Sequence, residues 1–458
     1  MAVRRLVQEK RRFVPVKMAG LSRRKFMRIL VTFAVMVLCA TGFAQEPDAE
    51  IAHHIESIKA IDNHSHVIAA DPADKGFDQL RCEMLPDSGI GAASQRYPNP
   101  DWMNAIHALY GFTPKDGSDA EMKRVDDARA AEMQHHGDQR WVLDKAGIGT
   151  VLANRLDLTP EMKAPRVLWV PYEDALLFPL NNTGEKSVNP DRKALFEMAE
   201  HLQTHYLELA GLKKLPPTLD QYVKQVLVPT LERQRKGGAV ALKFEAAYLR
   251  ALDFEPVLPY QAQQVYAKHV NGSIAQPADY KLLQDYLFKQ IALEAGKLGM
   301  AVHIHTGSGC GAFFNDPGAD AVLLSPMLND PDLRKTNFVL LHGNWTQERK
   351  VIGLILKPNV YVDTSLIEYF LTPREYAEIL KSWLEQMPER VLFGTDASPG
   401  GPGQNWPETT LWGAAKFRRS LAIALTEMVR EGSIDKQRAK EIADLVLREN
   451  AAKLYAVK

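Results

Sequence analysis

The stretch from Ile61 to His66 ends an apolar run with the pattern His-x-His. Because side chains along a β-strand alternate between its two faces, His64 and His66 project from the same face. Two imidazole nitrogens on one face can bind a single metal ion. The pair alone is a weak signal, so a metal site requires further ligands from elsewhere in the chain.

Further candidate ligands stand at or near the ends of three later apolar runs, at His305, His342 and Asp396. Each has a simpler interpretation: a histidine after an apolar run is often a core or turn residue, and the aspartate could begin a turn. Together with the His-x-His pair, however, they form one set of nitrogen and oxygen ligands. Such a set predicts a divalent metal, zinc first, with manganese or iron as alternatives.

Lys243, followed by Tyr248 and Arg250, forms a second group of interest. A lysine at the end of a buried strand is unfavourable unless it is paired or functional. Carbamylated, it would bridge two metals; as an ammonium, it would hold a substrate carboxylate; a surface lysine is the simple alternative. Tyr248 and Arg250 are predicted to bind an anionic substrate group, since arginine pairs with carboxylates in a bidentate way. A surface salt bridge is the other interpretation of Arg250.

Short β-rich apolar runs alternate with helical stretches along the chain, which predicts parallel βαβ units. Eight such runs match the α/β fold of a (β/α)8 TIM barrel, whose strand ends meet at one mouth. A doubly wound open sheet is the structural alternative. The predicted strands are residues 60–67, 150–154, 167–170, 239–244, 301–306, 338–342, 360–363 and 391–396, and the clearest helices are residues 279–298, 373–387 and 410–431.

Two long insertions interrupt the alternation, after strand 1 at residues 69–118 and after strand 3 at residues 171–236. The first is rich in proline and is predicted to be mostly irregular. The second includes two helical patterns. Both follow strand ends, where the active-site loops of a barrel lie, so we expect them to cover the site.

Residues 1–44 are predicted to be an export signal, and residues 45–458 to form the barrel domain. Arg23 and Arg24 precede a short apolar run and small residues, a pattern typical of a twin-arginine signal, with a Sec signal as the alternative. The apolar run is too short for a membrane anchor. We therefore expect a periplasmic or extracellular protein, with no membrane association after the signal is cleaved.

The balance of acidic and basic residues limits the kinds of molecule that the protein could bind. Ten of the 56 basic and one of the 56 acidic side chains lie in residues 1–44, so the remainder carries 46 basic and 55 acidic groups. This acidic excess argues against nucleic acid or an anionic membrane as partner and leaves a small-molecule substrate. Assembly into homo-oligomers stays open. Cys82 and Cys310 could pair in an oxidising compartment.

The motif set resembles the metal-dependent amidohydrolase superfamily. The resemblance is carried by His-x-His at strand 1, His-Thr-Gly after strand 5, His-Gly after strand 6 and Gly-Thr-Asp at strand 8, and it covers about residues 55–456. The closing segment 450–455 is similar to chain ends in the branch that contains aminocarboxymuconate-semialdehyde decarboxylase. The resemblance implies metal ligands at His64, His66, His305 and Asp396, with His342 as a catalytic group or second-metal ligand and Lys243 as a bridging lysine.

The number of metal ions is open between one and two. A lysine at the Lys243 position belongs to binuclear members and departs from the decarboxylase-like pattern, as does the export signal. The neighbouring Tyr248 and Arg250 favour a substrate-carboxylate role for the lysine. We therefore expect one tightly bound ion.

The predicted function is hydrolysis of a C–N or C–O acyl bond in a small anionic compound. A metal would activate water, Asp396 would take its proton and pass it to the leaving group, and His342 or the metal would polarise the carbonyl. The alternative is a metal-dependent decarboxylase, a lyase on the same scaffold, in which Lys243 or Arg250 helps to hold the substrate carboxylate. A non-catalytic periplasmic binding protein is a third hypothesis, from a different class.

Overall fold

The computed structural model describes residues 46–71, 85, 95, 97–400 and 403–457. One structural unit comprises Pro47–Lys458. The predicted export signal, residues 1–44, lies outside the described residues. Among the helices of the described part, none combines the length and apolar character that crossing a bilayer requires.

Eight parallel strands build the centre of this unit, one for each predicted apolar run. Their bounds are β1 Ala60–Ser65, β2 Ile148–Asn154, β3 Val167–Val170, β4 Ala241–Phe244, β5 Ala301–His305, β6 Phe338–Leu341, β7 Val360–Asp363 and β8 Val391–Leu392. Neighbours in the chain pair with each other, in one sheet of order β1-β2-β3 and another of order β4-β5-β6-β7-β8.

Isolated parallel bridges join these two sheets at both edges. Trp169 pairs with Ala239 between β3 and β4, and Ser65 pairs with Ala397 just beyond β8. The strands therefore follow one another in circular order. This is the predicted (β/α)8 barrel and not the doubly wound alternative, in which the outer edges stay apart.

Helices occupy the connections. Their bounds are α1 Ala49–Ser57, α2 Pro100–Tyr110, α3 Asp119–His136, α4 Arg140–Lys145, α5 Asp174–Leu177, α6 Thr183–Val188, α7 Lys193–Leu209, α8 Leu219–Tyr222, α9 Val228–Lys236, α10 Ala246–Leu249, α11 Pro259–His269, α12 Pro277–Lys297, α13 Ser325–Leu328, α14 Ile352–Ile355, α15 Pro373–Leu384, α16 Trp406–Arg430, α17 Lys436–Asp444 and α18 Asn450–Tyr455. Two π-helical segments, Val223–Leu227 and Leu445–Glu449, continue α8 into α9 and α17 into α18. The three helices predicted most clearly correspond to α12, α15 and α16.

The first insertion contains a regular helix where mostly irregular chain was expected. Asn99 Oδ1 accepts hydrogen bonds from the backbone of Asp101 at 2.8 Å and Trp102 at 3.1 Å, which caps α2. Pro100 stands at the first helical position, where proline is favourable because that N–H would have no helical partner. The prediction of a mostly irregular segment stays a prediction, because most of residues 72–96 lie outside the described residues. The second insertion holds α5 to α9, more helix than the two patterns predicted there.

The interior of the barrel is filled by inward-facing strand residues. The buried cluster there includes Ile61 from β1, Leu152 from β2, Val339 from β6 and Leu392 from β8. The last helix, α18, adds Tyr455 to the same cluster. The strand ends that carry the predicted ligands lie above this filled interior, at the mouth.

Candidate active site

Four histidines and one aspartate converge at the carboxyl ends of β1, β5, β6 and β8. Asp396 Oδ1 lies 2.9 Å from His64 Nε2 and 3.2 Å from His66 Nε2. The ring centre of His342 lies 5.2 Å from that of His64 and 4.5 Å from that of His305. The fold thus brings together all five predicted residues, although more than 300 positions separate the first from the last.

Each of the four histidines has a polar neighbour at its Nδ1 atom. The partners are the Asn154 amide at 2.5 Å from His64, the Tyr172 hydroxyl at 3.1 Å from His66, the Ser365 hydroxyl at 2.9 Å from His342, and the Glu245 carboxylate at 3.7 Å from His305. Contacts at Nδ1 help to orient the rings, as is usual for metal-binding histidines. These four partner residues were not predicted as part of the site.

The donor set fits a divalent cation. Ligand atoms of His64, His342 and Asp396 all lie within 4.8 Å of one another. Within the described part of the chain, His64 Nε2 and His305 Nε2 are buried without a hydrogen bond. His64 Nε2 and Asp396 Oδ1 nevertheless lie only 2.9 Å apart. Two ligand atoms that point toward a shared metal position would lie close together without bonding to each other. Nitrogen and carboxylate ligands suit zinc, manganese or iron.

Electrostatics place these groups in their metal-binding protonation states. Burial lowers the pKa of His64 to about 3, and it lowers the pKa values of His305 and His342 well below the usual range. Burial alone would raise the pKa of Asp396, but His342 and the contacts of His64 and His66 hold that pKa well below its ordinary value. Neutral imidazoles beside an ionised carboxylate are ready to bind a metal without first losing protons.

Two site residues have a backbone conformation that is uncommon without glycine. His342 has φ of 62° and Asp396 has φ of 49°, both in the left-handed region. Gly343 shares this conformation, and a Cβ there would overlap the Trp383 ring, so only glycine fits. The backbone N–H of Asp396 donates to the carbonyl of His64 at 2.8 Å. Such strained positions are frequent at functional sites, and here the turn carries Asp396 inward after β8 has ended.

Lys243 is fully buried and faces the site, as predicted. After burial itself, the charge of Lys243 is the largest cause of the lowered pKa values of His64 and His305. Lys243 Nζ lies 3.0 Å from Glu245 Oε1, so a carboxylate of the chain offsets the ammonium charge. Glu245 is one strand pleat away on the same face. The predicted roles of Lys243, as a second-metal ligand or a substrate anchor, stay predictions.

Tyr248 and Arg250, the other two predicted substrate-binding residues, differ in position. The Tyr248 ring packs against His305, with 4.6 Å between ring centres, which places it at the site. Arg250 Nη2 lies 2.8 Å from Asp285, and Arg250 Nη1 donates to Gln284 at 2.9 Å. The arginine is held in a structural ion pair. The predicted substrate clamp at Arg250 is therefore not supported, because its guanidinium already has protein partners.

A chain of buried hydrogen bonds lies beneath the histidines. The Tyr455 hydroxyl donates to Asn63 Oδ1, and Asn63 Nδ2 donates to Asp363 Oδ2 at 2.9 Å. The Ser365 hydroxyl donates to Asp363 and lies 2.9 Å from His342 Nδ1. The last helix of the chain is thereby linked to a histidine of the site through four hydrogen bonds.

The loop after β5 contributes a covalent constraint next to Tyr248. The backbone N–H of Cys310 donates to Tyr248 Oη at 3.2 Å. Cys310 is also disulfide-bonded. Cys82, the partner suggested by the sequence, lies outside the described residues.

Comparison with known proteins supports the family and the fold. Residues 267–457 match the sequence model of a family described as Amidohydrolase. A search of curated proteins found no significant match. The amidohydrolase resemblance drawn from the motifs is therefore confirmed over those residues. The finer likeness to the decarboxylase-containing branch stays a prediction.

Several solved structures share the architecture over most of the chain. A metal-dependent hydrolase from Lactobacillus casei has 16% identity and a TM-score of 0.57, covering 90% of this chain and 98% of its own. A uronate isomerase from Thermotoga maritima has 15% identity and a TM-score of 0.62, covering 90% and 100%. A glucuronate isomerase from Caulobacter crescentus has 17% identity and a TM-score of 0.59, covering 89% and 93%. At these identities the likeness establishes the fold alone.

Proposed function

We propose that this amidohydrolase-superfamily protein is a metal-dependent hydrolase that cleaves a C–N or C–O acyl bond of a small anionic compound. The cation would be zinc, with manganese or iron as alternatives, and one ion per chain. The observation that carries the proposal is the set of inward-facing Nε2 atoms without hydrogen bonds, at His64 and His305, beside the ionised Asp396.

The side chains of the site have distinct tasks in this proposal. His64, His342 and Asp396 would hold the cation, with His66 and His305 beside them. When bound, the cation supplies a Lewis acid and an activated water. Asp396 is ionised and can accept a proton from the attacking water, then deliver it to the leaving group.

The hydrogen bonds of Ser365 decide which nitrogen of His342 carries its proton. The Ser365 hydroxyl has one hydrogen, and it donates that hydrogen to Asp363. His342 Nδ1 must then be the donor to Ser365 Oγ across the 2.9 Å contact, which leaves Nε2 with its lone pair. A bare Nε2 can bind a cation or accept a proton. It cannot donate a hydrogen bond to polarise a carbonyl, so a ligand role is favoured over the predicted catalytic one, here toward the single proposed ion and not toward a second ion.

The decarboxylase alternative receives less support from the same geometry. In that mechanism the metal would bind the substrate carboxylate, and a protein cation would help to hold it. Lys243 and Arg250 were predicted for this task, but each has a carboxylate of the chain as its partner, at 3.0 Å and 2.8 Å respectively. A substrate carboxylate would have to displace one of these buried pairs, which is strongly unfavourable.

Metal content and the source of the incorporated oxygen test the proposal. We expect about one zinc, manganese or iron ion per purified chain by mass spectrometry, with activity on N-acyl or ester substrates lost on chelation and restored by metal. Label from isotopically enriched water should enter the acyl product. Fewer than about 0.2 ions per chain, with no activity gained on adding metal, would contradict the proposal. Release of CO2 without incorporation of label would favour the lyase.

A further inference from the structure

A buried arginine without a charged partner lies next to the site. Arg192 ends the short turn Pro190–Arg192 before α7, and it is 3% exposed. Its Nη2 atom has no hydrogen-bond partner among the described residues. No ion pair of the described part includes Arg192. A buried guanidinium in this condition is unfavourable for folding unless something else pairs with it.

Arg192 faces the aromatic rings that line His305. Its Cζ atom lies 5.8 Å from the ring centre of Tyr248 and 5.7 Å from that of Phe314. The same two rings lie 4.6 Å and 5.9 Å from the His305 ring, centre to centre. The guanidinium and the His305 ring therefore lie beside the same two aromatic side chains.

A glycine in the loop after β5 keeps the space for this guanidinium. A Cβ built on Gly311 would lie 2.6 Å from Arg192 Nη1, and the φ of 91° at this glycine is one that other residues rarely adopt. Any side chain there would displace the arginine. The close approach of backbone and guanidinium thus depends on the glycine.

Other buried arginines of the described part are paired within the protein. Arg129 Nε donates to Glu408 at 2.9 Å. Arg418, which is also 3% exposed, donates to three backbone carbonyls. Arg155, which is fully buried, donates to the Asp157 carbonyl at 2.7 Å and to the Val67 carbonyl at 2.8 Å. Among these buried arginines of the described residues, Arg192 alone has neither a carboxylate nor a carbonyl as a partner.

We propose that Arg192 binds the free carboxylate of the substrate, which names the substrate class within the proposed function and rests on it. A guanidinium binds a carboxylate through two parallel hydrogen bonds, and these are stronger in a site from which water is excluded. Tyr248 and Phe314 would pack against the body of the substrate between its carboxylate and its reacting bond. The substrate is then a small acid whose scissile acyl bond and free carboxylate are separated by an apolar or aromatic body.

Binding of simple carboxylates to the purified, metal-loaded full-length protein tests this assignment without turnover. The probes are benzoate and succinate, with benzamide and succinamide as neutral controls, measured by calorimetry. We expect the wild type to bind at least one carboxylate and neither amide. Arg192→Met should weaken carboxylate binding about 10- to 100-fold with unchanged metal content. Arg192→Lys should be intermediate, because lysine keeps the charge but not the bidentate geometry.

Thermal unfolding without ligand separates a binding role from a structural one. Arg192→Met should unfold at the wild-type temperature or above it, because the substitution removes a buried charge that has no carboxylate partner among the described residues. Arg418→Met is the control matched in burial. It should lower the unfolding temperature, since it removes three hydrogen bonds to backbone carbonyls, and it should leave carboxylate binding unchanged.

Three results would overturn the assignment: undiminished carboxylate binding by Arg192→Met, equal binding of the neutral amides, or no carboxylate binding by the wild type. Its failure is distinguishable from failure of the proposed function. Hydrolysis by the wild type, with carboxylate binding that does not depend on Arg192, would reject the role of Arg192 alone. Arg192-dependent binding by a protein that holds no metal would reject the hydrolase alone.

Discussion

Polar side chains are buried both at the mouth of the barrel and in the layer just beneath it. Among the described residues, only those of the lower layer form an unbroken series of hydrogen bonds. In the lower layer Tyr455, Asn63 and Asp363 bond to one another in succession. At the mouth, His64 Nε2 and His305 Nε2 are buried without such partners. Paired polar groups stabilise a fold, whereas unpaired buried groups weaken it and persist where a ligand completes them.

Three buried aspartates show the same contrast in their charge. Burial raises the pKa of Asp62 to about 8 and that of Asp363 to about 6, despite their hydrogen bonds from neutral donors. Burial acts on Asp396 in the same direction, but the surrounding histidines hold its pKa well below the usual range. A full negative charge at neutral pH is therefore favoured most strongly at the mouth, where a cation would need it.

Asp396→Asn is expected to have the largest effect and tests the mouth. It removes the only carboxylate among the converging ligands of the described part, and asparagine tolerates the left-handed backbone at this position. Activity should fall at least about 10³-fold and bound metal should be lost, with the unfolding temperature near that of the wild type. Metal content and steady-state kinetics measure this outcome. Asp62→Asn, in the lower layer, should still bind metal. Loss of metal from both variants would contradict the proposed difference between the mouth and the lower layer.

Ser365→Ala tests the connection between the two regions, because its hydroxyl contacts both His342 and Asp363. Removing the acceptor for His342 Nδ1–H frees the ring to rotate and to change tautomer. Metal affinity, followed by titration with a competing chelator, should fall about 10- to 100-fold. Ser420→Ala removes a buried hydroxyl bonded to the Lys416 carbonyl and is the matched control, which should leave metal affinity unchanged. Equal effects of the two variants would contradict the proposed role of Ser365.

Tyr455→Phe tests the lower layer and should affect activity least. The substitution leaves His303 Nε2 and Asn63 Oδ1 without the hydroxyl that now bonds to both. We expect the free energy of unfolding to drop by about 1–3 kcal/mol, measured in urea, with activity within about threefold of wild type. Tyr266→Phe, whose hydroxyl donates to the Pro216 carbonyl, is the control. A loss of activity well beyond threefold would contradict a purely supporting role for Tyr455.

The strands were predictable because burial leaves a local mark on the sequence. Residues 167–170 and 360–363 agree with β3 and β7 to the residue. The run at 391–396 does not: β8 ends at Leu392, and the following residues turn away from the ladder to place Asp396. Apolar patterning reports that a segment is buried, but it does not report where its backbone hydrogen bonds stop.

Two arginines, Arg250 and Arg192, show how far the residues of the candidate site could be predicted from the sequence. Arg250 drew attention because it follows Lys243 closely in sequence, yet it is bound by Asp285. Arg192 stands in the second insertion with no motif around it, and only its position in the folded chain shows that it is buried and unpaired. Glu245 was within reach of sequence reasoning, since it shares a strand face with Lys243.

The sequence by itself determined the chemistry available at the mouth. Strand alternation is a local rule, so imidazoles and a carboxylate at strand ends indicate a metal site before any packing is known. The tertiary structure alone decided which nitrogen of His342 is bare and which buried cation lacks a carboxylate partner among the described residues. Those properties depend on hydrogen bonds and ion pairs between segments far apart in the chain, as between Asn154 and His64 or Ser365 and His342, and only packing brings such groups within bonding distance.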